Sequence, residues 1–179
     1  MRQLFSPLLL VAVFLSVCAQ ADSAEQYQTP ESFVAENFGG STPEPSVLWI
    51  TGELRKQAKA ILEHDPESLR VHYWRKGKRT AWVLEEIGKE RPITTGWIVE
   101  NDAIQQAKVL IYRESRGREI HQQFFTNQFF RAGLDDQTQL NCHIDGISGA
   151  TLSVNAMRKM ARLALLYHRH AVADVASVH

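Results

Sequence analysis

The chain has 179 residues, 44% of them hydrophobic and 22% charged, with a formal net charge of zero. That length suits one domain and holds enough sequence for a single sizeable core. The balanced charge leaves neither the basic stripe of a nucleic-acid binder nor the acidic block of a disordered tail, so nucleic acid is not an expected partner.

The first residues differ from the rest. Arg2 gives a positive start, and Leu4 to Cys18 is apolar except at Ser6, Pro7 and Ser16. Ala19-Gln20-Ala21 then fits a small-x-small cleavage site. Residues 1–21 read as a signal peptide, cleaved after Ala21, which implies export and a periplasmic location. An uncleaved anchor is the other reading, but a full span needs about 20 apolar residues. Val17 before Cys18 is a poor context for lipoprotein processing. With Cys18 in the signal, Cys142 is left alone and no internal disulfide can form. Cys142 reads as a small buried hydrophobe, with a redox role as the alternative.

Asp22 to Gln28 is polar and reads as loose chain. "TPESFVAENFGG" predicts a short helix, with Thr29 as cap, Pro30 in the first turn and Gly39-Gly40 as the stop. Ser41 to Ser46 reads as a linker. "GELRKQAKAILEHDP" predicts a second helix whose Leu54, Ala58, Ile61 and Leu62 share one face before Pro66. The pattern then changes to strands. "LRVHYWRKGKRTAWVLEEIG" predicts a hairpin, with Val71, Tyr73 and Val83 as β-formers and Gly77 between the two runs. "ITTGWIVENDAIQQAKVLIYRES" predicts a second hairpin, turning at Glu100-Asn101-Asp102. Only Gly88 to Pro92 joins the two, so an antiparallel meander is the economical topology.

Beyond the hairpins, "REIHQQFFTNQFFRAG" predicts a helical apolar face of Phe124, Phe125 and Phe129. "SVNAMRKMARLALLYHRH" predicts a final helix with the stripe Met157, Met160, Ala161, Ala164 and Tyr167, and with Arg158, Lys159 and Arg162 outside it. The fold class is therefore α+β, an antiparallel sheet flanked by helices. Seven histidines do not fall at metal-ligand spacing; His168 and His170 face different sides of a helix.

One stretch concentrates small and hydroxyl residues. "IDGISGATLSV", from Ile144 to Val154, precedes the last helix. Gly149 permits a backbone conformation that a β-carbon resists. Thr151 stands at the helix start, where amides lack intrahelical partners and the dipole is positive. Such a place favours a phosphate. It equally suits a plain helix cap by Thr151 or Ser153, and the local physics leaves both readings open.

The string itself goes further. Asp145, Ser148, Gly149, Ala150 and Thr151 match D-x-x-S-G-A-T. A chance match in a chain of this length comes about once in several thousand cases, from typical residue frequencies. The pattern resembles the flavinylation motif of the FMN-binding domain family. That family includes the C subunit of the sodium-translocating NADH:quinone reductase and the G subunit of the Rnf complex. The resemblance extends over about Ile93 to His168, through the strand pair, a loop "ESRGRE" and the "FFTNQFF" segment. In that loop Arg116 stands where the family pattern has proline, and Glu119 where it has a second glycine.

The resemblance implies covalent FMN on Thr151 through a phosphoester. It implies an exported, magnesium-dependent flavin transferase as partner, with FAD as donor. Asp145, Ser148, Gly149 and Ala150 would serve the attachment site, and Glu114, Ser115 and Gly117 the flavin-holding loop. Ser148 would hydrogen-bond within the turn or to the phosphate. Asp145 would help bind the transferase or its metal, or orient the threonine hydroxyl. Trp74, Trp82, Trp97 and Tyr112 are candidates for contact with the ring, against a plain role in the sheet. The domain plan is then 1–21 signal peptide, 22–92 helices and first hairpin on the same domain, 93–170 FMN-binding region and 171–179 tail.

No G-x-S-x-G, P-loop or metal-ligand set marks a catalytic constellation. The expected function is an exported flavoprotein that carries electrons between periplasmic or membrane partners, rather than an enzyme. One alternative is a flavin-dependent reductase of a small molecule. Another is a binding module in which the turn only caps a helix.

Overall fold

The computed structural model describes residues 24–176; the predicted signal peptide, its cleavage site and Asp22 lie outside them. The first element corrects an expectation. Glu25–Gln26 is a two-residue strand, β1, where loose chain was predicted. Helix α1, Pro30–Asn37, follows as read. The Thr29 hydroxyl accepts the Ser32 amide at 3.1 Å, and Pro30 sits in the first turn where its missing N–H costs nothing. Residues 41–45 form the expected linker, but its last residue, Ser46, opens a strand, β2, Ser46–Trp49, that the sequence did not signal. Helix α2, Gly52–Leu62, buries the four predicted residues Leu54, Ala58, Ile61 and Leu62.

Both predicted hairpins are present. Arg70–Lys76 and Arg79–Ile87 form β3 and β4, and Pro92–Glu100 and Ala103–Tyr112 form β5 and β6. The second turn places Asn101 and Asp102 both at positive φ, 52° and 59°. That is the primed turn whose twist matches a right-handed hairpin, and Asn and Asp tolerate it. All pairings are antiparallel, in the order β1-β6-β5-β4-β3-β2. The predicted meander is the centre of this sheet; the two strands that sequence reading missed are its edges.

Two apolar layers cover the sheet. On one face Phe33 and Val34 of α1, with Phe38 just past its end, pack on Ala81, Ile98 and Leu110. Phe33 lies on Gly96 so closely that a β-carbon there would stand 2.5 Å from the ring. On the other face lies the main core. Trp82 and Trp97 are fully buried there, each donating its indole N–H to a threonine hydroxyl two residues back, Thr80 at 2.8 Å and Thr95 at 2.7 Å. Trp82 packs on Tyr73 and Tyr167, and Trp97 meets Phe129 edge-on.

The phenylalanine segment is not one helix. It is a 3₁₀ turn at Arg118–His121, a four-residue helix α3 at Gln123–Thr126 and a second 3₁₀ turn at Asn127–Phe129. The changes of period bury Phe125 and Phe129 but leave Phe124 59% exposed, so Phe124 is no part of the predicted face. Helix α4, Thr151–Ala176, then spans the sheet. Its predicted stripe of Met157, Met160, Ala161, Ala164 and Tyr167 is buried throughout. Among the described residues no helix is long and apolar enough to cross a membrane.

Candidate functional site

The quoted turn leads directly into α4. The Ala150 amide donates to the Ile147 carbonyl at 3.0 Å, and the Val154 amide to the Ala150 carbonyl at 2.9 Å. Ala150 is thus the half-in residue, and Thr151 is the first residue of the helix. Gly149 has φ of 78°, the left-handed region that makes glycine the fitting residue here. The amides of Thr151, Leu152 and Ser153 have no acceptor among the described residues. Thr151 itself is exposed.

The loop after β6 closes over this turn. Gly117 has φ of 83°, and a β-carbon on it would lie 3.0 Å from Ala150 Cβ and 3.0 Å from the Tyr112 hydroxyl oxygen. The glycine of the loop and the alanine of the motif therefore face each other. Ala150 is buried in this contact, so its small size serves packing rather than a low outer surface. Tyr112 is buried beneath, donating its hydroxyl to the Arg116 carbonyl, with Ser153 Oγ at 3.3 Å. Burial pushes the Tyr112 pKa up, so it stays a neutral donor.

Glu114 has a scaffold task. Its carboxylate accepts the backbone amides of Lys89, Glu90 and Arg91, the last two at 2.7 and 3.0 Å. Burial works against its charge, but the three amides outweigh it and hold the carboxyl below the ordinary range. The effect is to tie the β4–β5 turn to the end of β6. That tie brings Lys89 to a cleft of about 530 Å³, which it lines with Glu114, Ser115, Arg116 and residues 149–153.

Thus Glu114, Ser115, Gly149, Ala150 and Thr151 line one cleft, with Gly117 packed behind Ala150. Asp145 and Ser148 do not line it. The Asp145 carboxylate is open to solvent, 3.5 Å from His143 Nε2, while its amide donates to Gln128 Oε1 at 2.6 Å. The Ser148 hydroxyl is exposed and makes no hydrogen bond to a described residue, so of its two expected partners, the turn and a phosphate, the turn is not one. Two cations were missed. Lys89 had read as linker and Arg116 as a mere departure from the loop pattern. The clue was available only in the register, since the β4–β5 turn and the end of β6 lie at one end of the sheet.

The basic residues of α4 also have work that their place outside the stripe did not reveal. Arg158 donates to the Ile144 carbonyl, Arg162 to the Thr138 carbonyl at 2.6 Å and Arg169 to the Leu134 carbonyl at 2.7 Å. They clamp the long loop before the motif onto the helix it feeds. Cys142 lies on that loop and is exposed, which corrects its reading as a buried hydrophobe. The loop bends outward at that point, and a lone cysteine has no pattern by which a sequence would show it. Trp82 and Trp97 belong to the core and Trp74 to the far half of the sheet. Of the four aromatic candidates, Tyr112 alone borders the cleft, through Ser153 and Arg116. Among the described residues no group of three or more His, Cys, Asp and Glu is placed to hold a metal ion.

The donor set fits a phosphoryl group. Three helix-start amides without an acceptor, a lysine and an arginine belong to residues that line one cleft with an exposed threonine. Space is open as well, for a β-carbon on Gly149 or Gly146 would meet nothing within 4 Å. Residues 88–166 match the family model of the FMN-binding domain. That stretch begins at the β4–β5 turn and ends inside α4, so it spans both walls of the cleft. No curated protein and no solved structure matches the chain significantly.

Proposed function

With residues 88–166 forming an FMN-binding domain, we propose that this flavoprotein carries its FMN covalently on Thr151 and passes electrons between redox partners outside the cytoplasm. One observation carries the reading: the Thr151 hydroxyl is exposed at the start of α4, in the last position of D-x-x-S-G-A-T, in a cleft that Lys89 and Arg116 also line.

Thr151 Oγ is the nucleophile for attachment. Its bond to the flavin-side phosphorus of FAD forms as the bond from that phosphorus to AMP breaks. AMP leaves, and the hydroxyl proton passes to the transferase or to water. The unpartnered amides of residues 151–153 and the cations of Lys89 and Arg116 favour the phosphoester's negative charge. The exposed Asp145 suits a contact with the transferase rather than with Thr151, because it stands clear of the cleft. Bound FMN supplies one- and two-electron redox chemistry, and the domain supplies attachment and surroundings. A tether suits an exported protein, since a dissociable flavin would be lost by diffusion. Leu152 and Ile87, 50% and 51% exposed beside the cleft, offer an apolar resting surface.

The test is intact mass after co-expression with an exported flavin transferase. The mature chain should begin at Asp22, be yellow, and weigh more by FMN less one water. Thr151→Val should fold and remain colourless. Lys89→Glu and Arg116→Glu should each slow attachment about fivefold, the equivalent of about 1 kcal/mol of lost phosphate attraction. An unmodified Thr151 after exposure to active transferase would sink the reading.

A further inference from the structure

Strands β3 and β4 part company halfway. They pair only from Tyr73–Trp82 to Lys76–Arg79. The first half of β3, Arg70 to Tyr73, pairs outward with β2 instead. β4 remains paired with β5 as far as Ile87. Continuing the β3–β4 register would set His72 against Val83 and Val71 against Leu84, and neither pair forms. The strands therefore splay, and the sheet has a split between them.

The split holds a pocket of about 360 Å³. It runs through the sheet, because its walls come from both faces. Val71, Leu84 and Tyr167 belong to the α4 side, and Trp74 and Val83 to the α1 side. At one end stand His64 and Glu86. Glu86 is only 8% exposed, and His64 Nε2 lies 3.2 Å from its Oε1. The hydrogen bond to the Asp65 carbonyl, resisted by burial and aided by Glu86, helps His64 keep its proton above the ordinary range.

We propose that this split is a binding site for a small, neutral, planar aromatic molecule bearing a carbonyl oxygen. The volume falls within the range of small-ligand sites, roughly 300–1,000 Å³. Trp74, half-buried, offers a flat face, and the valines fill around it. Arg70 on the lining is a hydrogen-bond donor for the oxygen, whereas both ring nitrogens of His64 are already engaged, by the Asp65 carbonyl and by Glu86. Glu67, Glu85 and Glu86 on the same lining disfavour an anion, which selects a carbonyl over a carboxylate. A peptide strand of the usual five or six residues exceeds the space. Glu86 also lines the neighbouring cleft with Ile87 and Leu152. The site itself is independent of any flavin, and it can be tested without one.

The experiment titrates flavin-free protein with 2-acetylnaphthalene, following tryptophan fluorescence and contacts between ligand and Trp74 indole protons by nuclear magnetic resonance. Saturable binding with contacts to Trp74 is expected. The anionic analogue 2-naphthoate should bind at least tenfold more weakly. Arg70→Ala should weaken the ketone about three- to tenfold, the worth of one hydrogen bond. Val83→Trp should fill the split and abolish binding with circular dichroism unchanged; Val71→Phe serves the same end should the first variant not fold. Absence of saturable binding, or binding that survives in both filled variants, overturns the site. Equal affinity for 2-naphthoate, or preference for an extended peptide over the ketone, overturns the ligand class.

Discussion

Gly117 lies against Ala150 so closely that a β-carbon on the glycine would stand 3.0 Å from that of the alanine. This contact locks the loop after β6 onto the start of α4, and it positions one wall of the Thr151 cleft against the other. Gly117→Ala should destabilise the fold by about 1–3 kcal/mol, from left-handed backbone strain and overpacking together. Urea denaturation measures it. A variant as stable as the parent would show that the loop yields freely and that the contact does not set the cleft.

Glu114 should be needed for stability in a pH-dependent way. Its folded carboxyl is held below the ordinary value of 4.5, so its contribution is present above that pH and fades as pH falls through the lower folded value. Glu114→Gln loses the charge on three amide bonds and should cost about 1–3 kcal/mol at pH 7. The gap between parent and variant should narrow below pH 4.5. Denaturation midpoints at neutral and acidic pH check this; a gap of constant size would exclude the charge as its source.

His168 is a buried titrating group, 2% exposed, with Nδ1 2.7 Å from Thr80 Oγ1. Burial lowers its pKa below 6.5, opposed by Asp102 and Glu100 and reinforced by Arg75 and Arg169. The unfolded chain therefore takes up a proton before the folded one does. Stability conferred by a neutral His168 is intact above pH 6.5 and is lost as pH falls toward the folded value. His168→Gln should lower stability at neutral pH yet flatten its slope between pH 7 and 5. An unchanged slope would place the acid sensitivity elsewhere.

Cys142 should react in the native state because it is exposed. Desolvation raises its pKa, so the reaction should be slower than that of a free thiol at pH 7 but should go to completion. Peptide mapping after iodoacetamide treatment without denaturant reads the modification. Labelling that needs denaturant would show the loop to be closed over the thiol.

Local signals in the chain were strong wherever one residue's chemistry sufficed. Thr29 and Pro30 announce α1, Asn101-Asp102 the second hairpin, and the spacing of Met157, Met160, Ala161 and Ala164 the buried face of α4. The D-x-x-S-G-A-T string likewise marks the helix start at Thr151. Elements of two or four residues, such as Glu25–Gln26 and Ser46–Trp49, carry no period to read; they are strands because a neighbouring edge pairs with them. The phenylalanine segment misled for a related reason, since packing on Trp97 broke one helical period into three short turns.

Residue identity within the motif was legible in the chain alone, because a threonine hydroxyl at a glycine-bearing turn needs only its immediate neighbours. The company that Thr151 keeps was decided by tertiary structure. Lys89 and Arg116 are 62 and 35 positions away in the chain, and they reach the cleft only because Glu114 ties one turn to another and Gly117 admits Ala150. The split between β3 and β4 is likewise invisible in either strand's alternation, because it arises from a choice of partners and not from the residues of one strand.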